Sequence, residues 1–232
     1  MYLTRFRINT ARREGRELLG SPHRMHAAVN MSFPDPPSRD GSGPRVLWRI
    51  DRNSSAEVLL FVVSPRRPDM THLVEQAGWP AAETPGWQTY DYSTFLGRLT
   101  QGSKWAFRLT ANPVHKIRRK DDEPTKRTAH ITPHHQMAWL LAQQKRAGFV
   151  VLEKPEAKRL LPEGDELQLI VRDKRDLRFA KVSEGRTVQL MTVTFDGRLT
   201  VTDPGLLRRT LTQGLGKAKA YGCGLMTLAP LG

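Results

Sequence analysis

VLWRID (residues 46–51) and VLLFVV (58–63), joined across Asn53-Ser54-Ser55, read as two neighbouring strands, and the first half of the chain is organised around them. Both runs are rich in β-branched and aromatic residues, and the polar triplet between them turns readily. Toward the N-terminus, Tyr2, Thr4, Phe6 and Ile8 alternate with Leu3, Arg5, Arg7 and Asn9, the period-two pattern of a strand with one buried face. A basic connection follows. Ser21 and Pro22 then supply a helix start, a capping hydroxyl ahead of a first-turn proline. That helix carries His23, Arg24, Met25, His26 and Val29 and stops before Pro34. Phe33–Pro44 reads as a loop, Met70–Ala77 as a short helix, and Gly78–Gly102 is weakly patterned. Trp105–Thr110 is a further strand, ended by Asn112-Pro113. Strand, helix, strand, strand, helix, strand is the order of a ferredoxin-like unit.

The polar section Val114–Thr125 marks a domain boundary, giving an N-terminal domain over 1–120 and a C-terminal one over 125–232. The second half is expected to hold a strand at Arg127–Ile131, a helix over Pro133–Ala147 stopped by Gly148, and a strand at Phe149–Leu152. Leu167–Val171 and Leu177–Val182 suggest a hairpin around the charged turn Arg172–Asp176. Val188–Phe195 and Arg198–Val201 suggest another, turning at Asp196-Gly197. Pro204–Thr212 is a helix capped by Asp203, and Leu225–Leu228 is the last strand. The same element order thus recurs with an inserted hairpin, although no sequence repeat is visible. The fold class is α+β: two tandem ferredoxin-like domains, each an antiparallel sheet with helices on one face.

Composition narrows the partners. In 232 residues, 37 Lys and Arg stand against 23 Asp and Glu, a net charge of +14, and the pI is near 10.5. Such a surface attracts polyanions whatever the fold. Nucleic acid, an anionic membrane and an acidic protein are the candidates. The single cysteine, Cys223, excludes an intrachain disulfide and a cysteine-based zinc site. The N-terminal stretch has charges throughout and no apolar signal core, and no apolar run approaches the roughly 20 residues of a membrane span. No basic amphipathic helix suited to a membrane surface is evident. A soluble protein of a reducing cytoplasm is expected, without a membrane partner.

Three constellations carry chemistry. GLGKAKAYGCG (214–224) places four glycines and two lysines in a stretch from Gly205 to Gly224 that has no acidic residue but includes Arg208 and Arg209. Gly214, Gly216, Lys217 and Lys219 would let an anion approach backbone N–H groups and point charges together. The alternative is a tight structural loop. The spacing is not that of a Walker loop, which disfavours nucleotide hydrolysis. SPHRMH (21–26) puts His23 and His26 three residues apart on one helical face beside Arg24. Imidazoles titrate near neutral pH, so such a pair can act as general base and general acid. On RNA that gives transesterification by a 2′-OH without a metal. A metal pair, or surface histidines without a role, are the competing readings.

Basic clusters are the third. Between Lys104 and Ile131 lie Lys104, Arg108, Lys116, Arg118, Arg119, Lys120, Lys126 and Arg127 against three acids, a local charge of +5. Arg172, Lys174, Arg175 and Arg178 form another, partly offset by Asp173 and Asp176. Cations of this kind track phosphates with salt-dependent affinity, although many charge runs are only solvated faces. His72, His115, His130, His134 and His135 show no metal motif, and Trp48, Phe61, Trp105, Phe107 and Trp139 read as core.

YLTRFRIN (2–9), SPHRMH (21–26), VLWRID (46–51), FRLTANPVHK (107–116) and DPGLLRRTLTQGLGKAKAYGCGLMTLAP (203–230) occur in that order, and together they resemble the CasE family. These are CRISPR-associated endoribonucleases of the type I-E system, within the RAMP superfamily. The resemblance implies two tandem ferredoxin-like domains and binding of the CRISPR repeat RNA hairpin. It implies metal-independent cleavage at the 3′ base of the stem, without a cofactor, leaving 5′-OH and 2′,3′-cyclic phosphate ends. It also implies that the mature CRISPR RNA stays bound, with other Cascade subunits as partners. His26 falls on the family's catalytic histidine. His23 falls where some relatives have an assisting tyrosine, and Met31 where some have a lysine. Arg24 and Lys219 are the cations expected to stand in for that lysine. Arg172–Arg178 matches a basic hairpin that relatives insert into the RNA major groove, and Lys116–Lys120 a basic stretch after the ANP segment. A non-catalytic RNA-binding subunit with the same fold is the alternative.

Overall fold

A computed structural model of the chain describes residues 1–35, 45–84, 86–117, 126–161, 163–181 and 186–231. The loop expected at Phe33–Pro44 falls mostly outside these residues, as do Arg118, Arg119, Lys120 and Val182.

Strand β1 (Tyr2–Ile8) buries Thr4, Phe6 and Ile8 and exposes Arg5 and Arg7, as its alternation predicts. The connection after it is a helix, α1 (Arg13–Gly20), not an irregular link. Helix α2 (Pro22–Asn30) begins as expected: the Ser21 side chain accepts from the backbone N–H of Arg24, with proline in the first turn. A cap of this type is worth about 1 kcal/mol. Strands β2 (Leu47–Arg52) and β3 (Val58–Ser64) pair antiparallel, helix α3 (Thr71–Ala77) follows, and β4 (Trp87–Asp91) closes the unit. The sheet order is β2-β3-β1-β4, the ferredoxin-like arrangement. Phe6, Ile8, Trp48, Leu60 and Val62 pack with Leu18, Met25, Val29 and Leu73 of the three helices.

The chain passes to a second sheet after helix α4 (Tyr92–Gly97). Strand β5 (Lys104–Ala111), expected to complete the first unit, instead pairs with two strands of the second half, Arg186–Val201 and Met226–Ala229. The change of sheet therefore falls between Asp91 and Lys104, ahead of the polar section read as the boundary. β4 was hidden because its sequence, WQTYD, has little apolar signal: an edge strand needs none on its outer side. The polar section holds a small hairpin, β6 (Val114–Ile117) with β7 (Lys126–Ala129).

Next come α5 (Pro133–Leu141), α6 (Gln144–Ala147), β8 (Phe149–Val151), β9 (Leu169–Lys181), β10 (Arg186–Val201), α7 (Pro204–Gln213) and β11 (Met226–Ala229). The expected single helix over 133–147 is broken at Ala142-Gln143, and Gly148 terminates α6 at φ 79°. The second sheet has the order β11-β5-β10-β8, again ferredoxin-like, with β9 continuing the β8 edge along β10.

Two expected turns are absent. Asp196-Gly197 lies inside β10, a continuous 16-residue strand. The Asp196 carboxylate accepts from Arg108 and Arg172 on the flanking strands, and a Cβ at Gly197 would stand 2.8 Å from the Phe107 ring. Here Asp-Gly serves cross-strand ion pairing and close packing instead of reversal. Arg172–Asp176 likewise lies within β9, where the register shifts opposite Thr192–Thr194 and Asp173 takes φ 52°. This is a bulge, and the basic hairpin is formed by β9 with β10.

The two units share one interior. Leu140, Ala147, Leu207 and Leu211 cover one face of the second sheet, against Phe107, Leu109, Val193, Phe195 and Leu199. Leu47 and Val63 from the first sheet belong to that same cluster, so the β2–β3 side of that sheet is covered on its second face as well.

Candidate nucleic-acid interface

α2 packs against the 3-10 turn Lys219–Tyr221 of the glycine-rich loop and against β9. His23 and His26 are half-buried, and Asn30 Nδ2 lies 3.3 Å from His26 Nε2. The amide is a donor, so this contact uses that ring nitrogen as acceptor. Arg24 is exposed and already paired with Glu17 at 2.8 Å. Met31 is 71% exposed.

A cavity of about 90 Å³ lies beside Pro22 and Met25 of α2, walled by Trp48, Tyr221 and Gly222 and bordered by Arg52 and Arg175. Burial, and then the neighbouring charge of Arg175, press the Arg52 guanidinium below its ordinary pKa. An arginine stays charged through such a shift, so the cavity has a positive wall with incomplete compensation by Asp173. Sequence reading missed Arg52; only the pairing of β2 beside the loop brings it to α2.

The glycine-rich loop is shaped by protein contacts. Gly214, Gly216, Gly222 and Gly224 all have positive φ, between 77° and 91°. A Cβ at Gly222 would lie 2.6 Å from the Trp48 ring, and one at Gly216 3.0 Å from Trp139. The missing side chains therefore face the interior, and the glycines let the loop wedge between the two sheets. Its lysines face elsewhere. Lys219 Nζ donates to Gly216 O at 2.9 Å, and burial together with the charges of Arg45, Lys217 and Arg146 holds it below the usual lysine pKa.

Lys219 and Lys217 open onto a cleft of about 770 Å³ on the other side of the loop from the small cavity. Lys116 from β6, Arg146 from α6 and Arg209 from α7 line it as well, and among the described residues no carboxylate does. Arg146 was not singled out in the sequence; a signal existed only in the absence of acids near the loop. Trp139, read as core, has an edge in this cleft.

The other expected RNA contacts divide. Arg108 is held by Asp196 at 2.7 Å and Asp51 at 3.2 Å, and Arg172 by Asp196 at 2.6 Å and by Asp173. These cations are neutralised within the sheet. Lys174, Arg175 and Arg178 are exposed along β9. Arg175 shares a face with Leu177 and Phe179, which pack with Tyr221, so it borders the small cavity while Arg178 alternates to the opposite side and Lys174 lies in the bulge.

Two ferredoxin-like units in tandem, with cationic hollows on both sides of a glycine-rich loop and a histidine pair on the helix packed against it, define a protein built to hold a polyanion. The chain belongs to the CRISPR-associated protein family, whose model matches residues 1–230. It is 30% identical over 233 residues to CRISPR-associated endoribonuclease Cse3 of Thermus thermophilus, covering 99% of this chain and 100% of that relative. It is 28% identical over 195 residues to the CRISPR system Cascade subunit CasE of Escherichia coli, covering 80% of this chain and 89% of that one. The structure of Thermus thermophilus Cse3 bound to an RNA representing a pre-cleavage complex superposes with a TM-score of 0.75 at 28% identity, over 99% of this chain and 98% of that one.

Proposed function

We propose that this chain is a metal-independent endoribonuclease that binds the CRISPR repeat hairpin, cuts precursor CRISPR RNA at the 3′ base of the stem, and keeps the mature guide as a Cascade subunit in the cytoplasm. The observation that carries the reading is the packing of the His23–His26 helix against the lysine-bearing glycine-rich loop, in a chain similar throughout its length to Cse3. Among the described residues no helix is long and apolar enough to cross a membrane.

The chemistry needs two proton transfers and one bond exchange. One imidazole takes the proton of the 2′-OH, and that oxygen attacks the adjacent phosphorus. The bond from phosphorus to the 5′-oxygen breaks, and the second imidazole protonates the departing oxygen. The products are a 2′,3′-cyclic phosphate and a 5′-OH. His26 and His23 hold these roles on adjacent turns of a capped helix. Arg52 and Arg175, which border that helix, supply the positive potential that Met31 cannot. Arg24 and Lys219 are less suited: the first is paired with Glu17, and the second opens onto the far cleft. Lys174 and Arg178 on the β9–β10 hairpin, with Arg118, Arg119 and Lys120, contact phosphates of the stem.

The test is single-turnover cleavage of a repeat hairpin. Activity should persist in EDTA, disappear with a 2′-deoxy nucleotide at the cut, and fall by about 10²–10⁴-fold in His26→Ala while hairpin affinity is kept. Tight binding without any cleavage by the unaltered protein would establish the non-catalytic subunit instead.

A further inference from the structure

The cleft beyond the glycine-rich loop has an imbalance that the cutting reaction does not use. Lys116, Arg146, Arg209, Lys217 and Lys219 converge on it from four elements, and among the described residues none of them is ion-paired to a carboxylate. Arg146 and Arg209 reach only neutral glutamine oxygens, on Gln143 and Gln213. Two buried polar atoms on the cleft's residues, Asn112 Oδ1 and His115 Nδ1, have no hydrogen-bond partner among the described residues. Burial, and then the charges of Arg45, Lys217 and Arg146, lower the pKa of Lys219. Several adjacent phosphates match five converging cations better than one does.

We propose that this cleft binds the phosphates of the unpaired RNA strand leaving the stem on the 3′ side of the cut. The inference rests on the cleavage site proposed above and extends it. At about 770 Å³ the cleft has room for unpaired nucleotides. A basic groove with an aromatic edge, here Trp139, is the arrangement that takes single strands without reading their sequence. The loop whose Tyr221 borders the cavity beside α2 also carries Lys217 and Lys219 at the cleft, so a single loop joins the two hollows.

The experiment measures hairpin affinity by anisotropy with three RNAs: one ending just past the cut, one with a longer 3′ flank and one with a longer 5′ flank. The readout is the affinity ratio of flanked to short RNA. The unaltered protein should gain on the order of tenfold from the 3′ flank. Arg146→Gln/Arg209→Gln should abolish that gain and lower the salt slope by about 1.4, at roughly 0.7 per single-strand phosphate. Both arginines are exposed on helix surfaces, so the substitutions should fold. A double variant that keeps the gain, or a gain confined to the 5′ flank, overturns the proposal. So does inorganic phosphate that removes the gain at concentrations too low to screen charge, since that marks a lone-phosphate site. A protein that cuts the short hairpin but gains nothing from a flank overturns this inference alone; one that binds and cuts neither RNA overturns the nuclease reading as well.

Discussion

Arg49 closes on Asp51, two residues along β2, through Nε–Oδ1 at 2.6 Å and Nη2–Oδ2 at 3.0 Å, with both side chains almost wholly buried. The same guanidinium donates to Arg108 O, Leu225 O and Thr227 Oγ1 on strand β5, at the start of β11 and within it. A bidentate pair of this kind satisfies its charges locally and uses its remaining donors to join the first sheet to the second.

Removing one member leaves the other buried. Arg49→Met should therefore destabilise the protein by about 3–5 kcal/mol, read from urea unfolding. Arg49→Met/Asp51→Leu should recover part of that loss: the buried carboxylate is gone and Arg108 keeps Asp196, while Arg108 O and Leu225 O stay without the Arg49 donor. Equal stabilities for the two variants would contradict this account.

Gly222 has φ 80° and no room for a side chain against Trp48, whereas a Cβ at Gly97, at the end of α4, meets nothing within 4 Å. Gly222→Ala should cost about 1–3 kcal/mol through overpacking and strain. Gly97→Ala should stabilise by about 0.4–1 kcal/mol. Thermal melts of the two variants should move in opposite directions.

His130 stacks on His115 at 4.4 Å and lies 6.0 Å from His135. Burial and the charges of these two imidazoles lower its pKa. The unfolded chain thus binds the proton more readily, and stability rises with pH across that interval. The contribution of His130 is present above about pH 6.5 and is lost as the pH falls through its depressed folded value. A melting temperature that drops between neutral and mildly acidic pH should drop less in His130→Gln; identical profiles would dismiss the effect.

Cys223 is fully buried, and its thiol is pushed up to about 12. The thiolate is the reactive form. A thiol reagent should leave the native protein unlabelled at neutral pH and take up one equivalent only in denaturant. Rapid labelling without denaturant would show that the loop opens.

Elements with strong local signals were legible in the sequence. Tyr2–Ile8, the β2–β3 pair, the Ser21-Pro22 cap and the Asp203 cap all stand where alternation and capping chemistry put them. Long strands carrying charge inside the sheet were not. Arg172–Asp176 and Asp196-Gly197 have turn composition, and the pairing of β10 with β9 and β5, with the ion pairs of Asp196 across it, holds them within the strands.

The candidate site divides in the same way. His23, His26 and the lysines of the glycine-rich loop were recognisable because their spacing and acid-free surroundings are local properties of the chain. Arg52 at α2, and Arg146 with Arg209 in the far cleft, come from segments distant in sequence. Composition and periodicity determined the α+β class and the polyanion partner, since charge and burial pattern act residue by residue. Which cations stay free and which are neutralised was decided only by tertiary structure. An ion pair depends on distances between strands that no local pattern encodes.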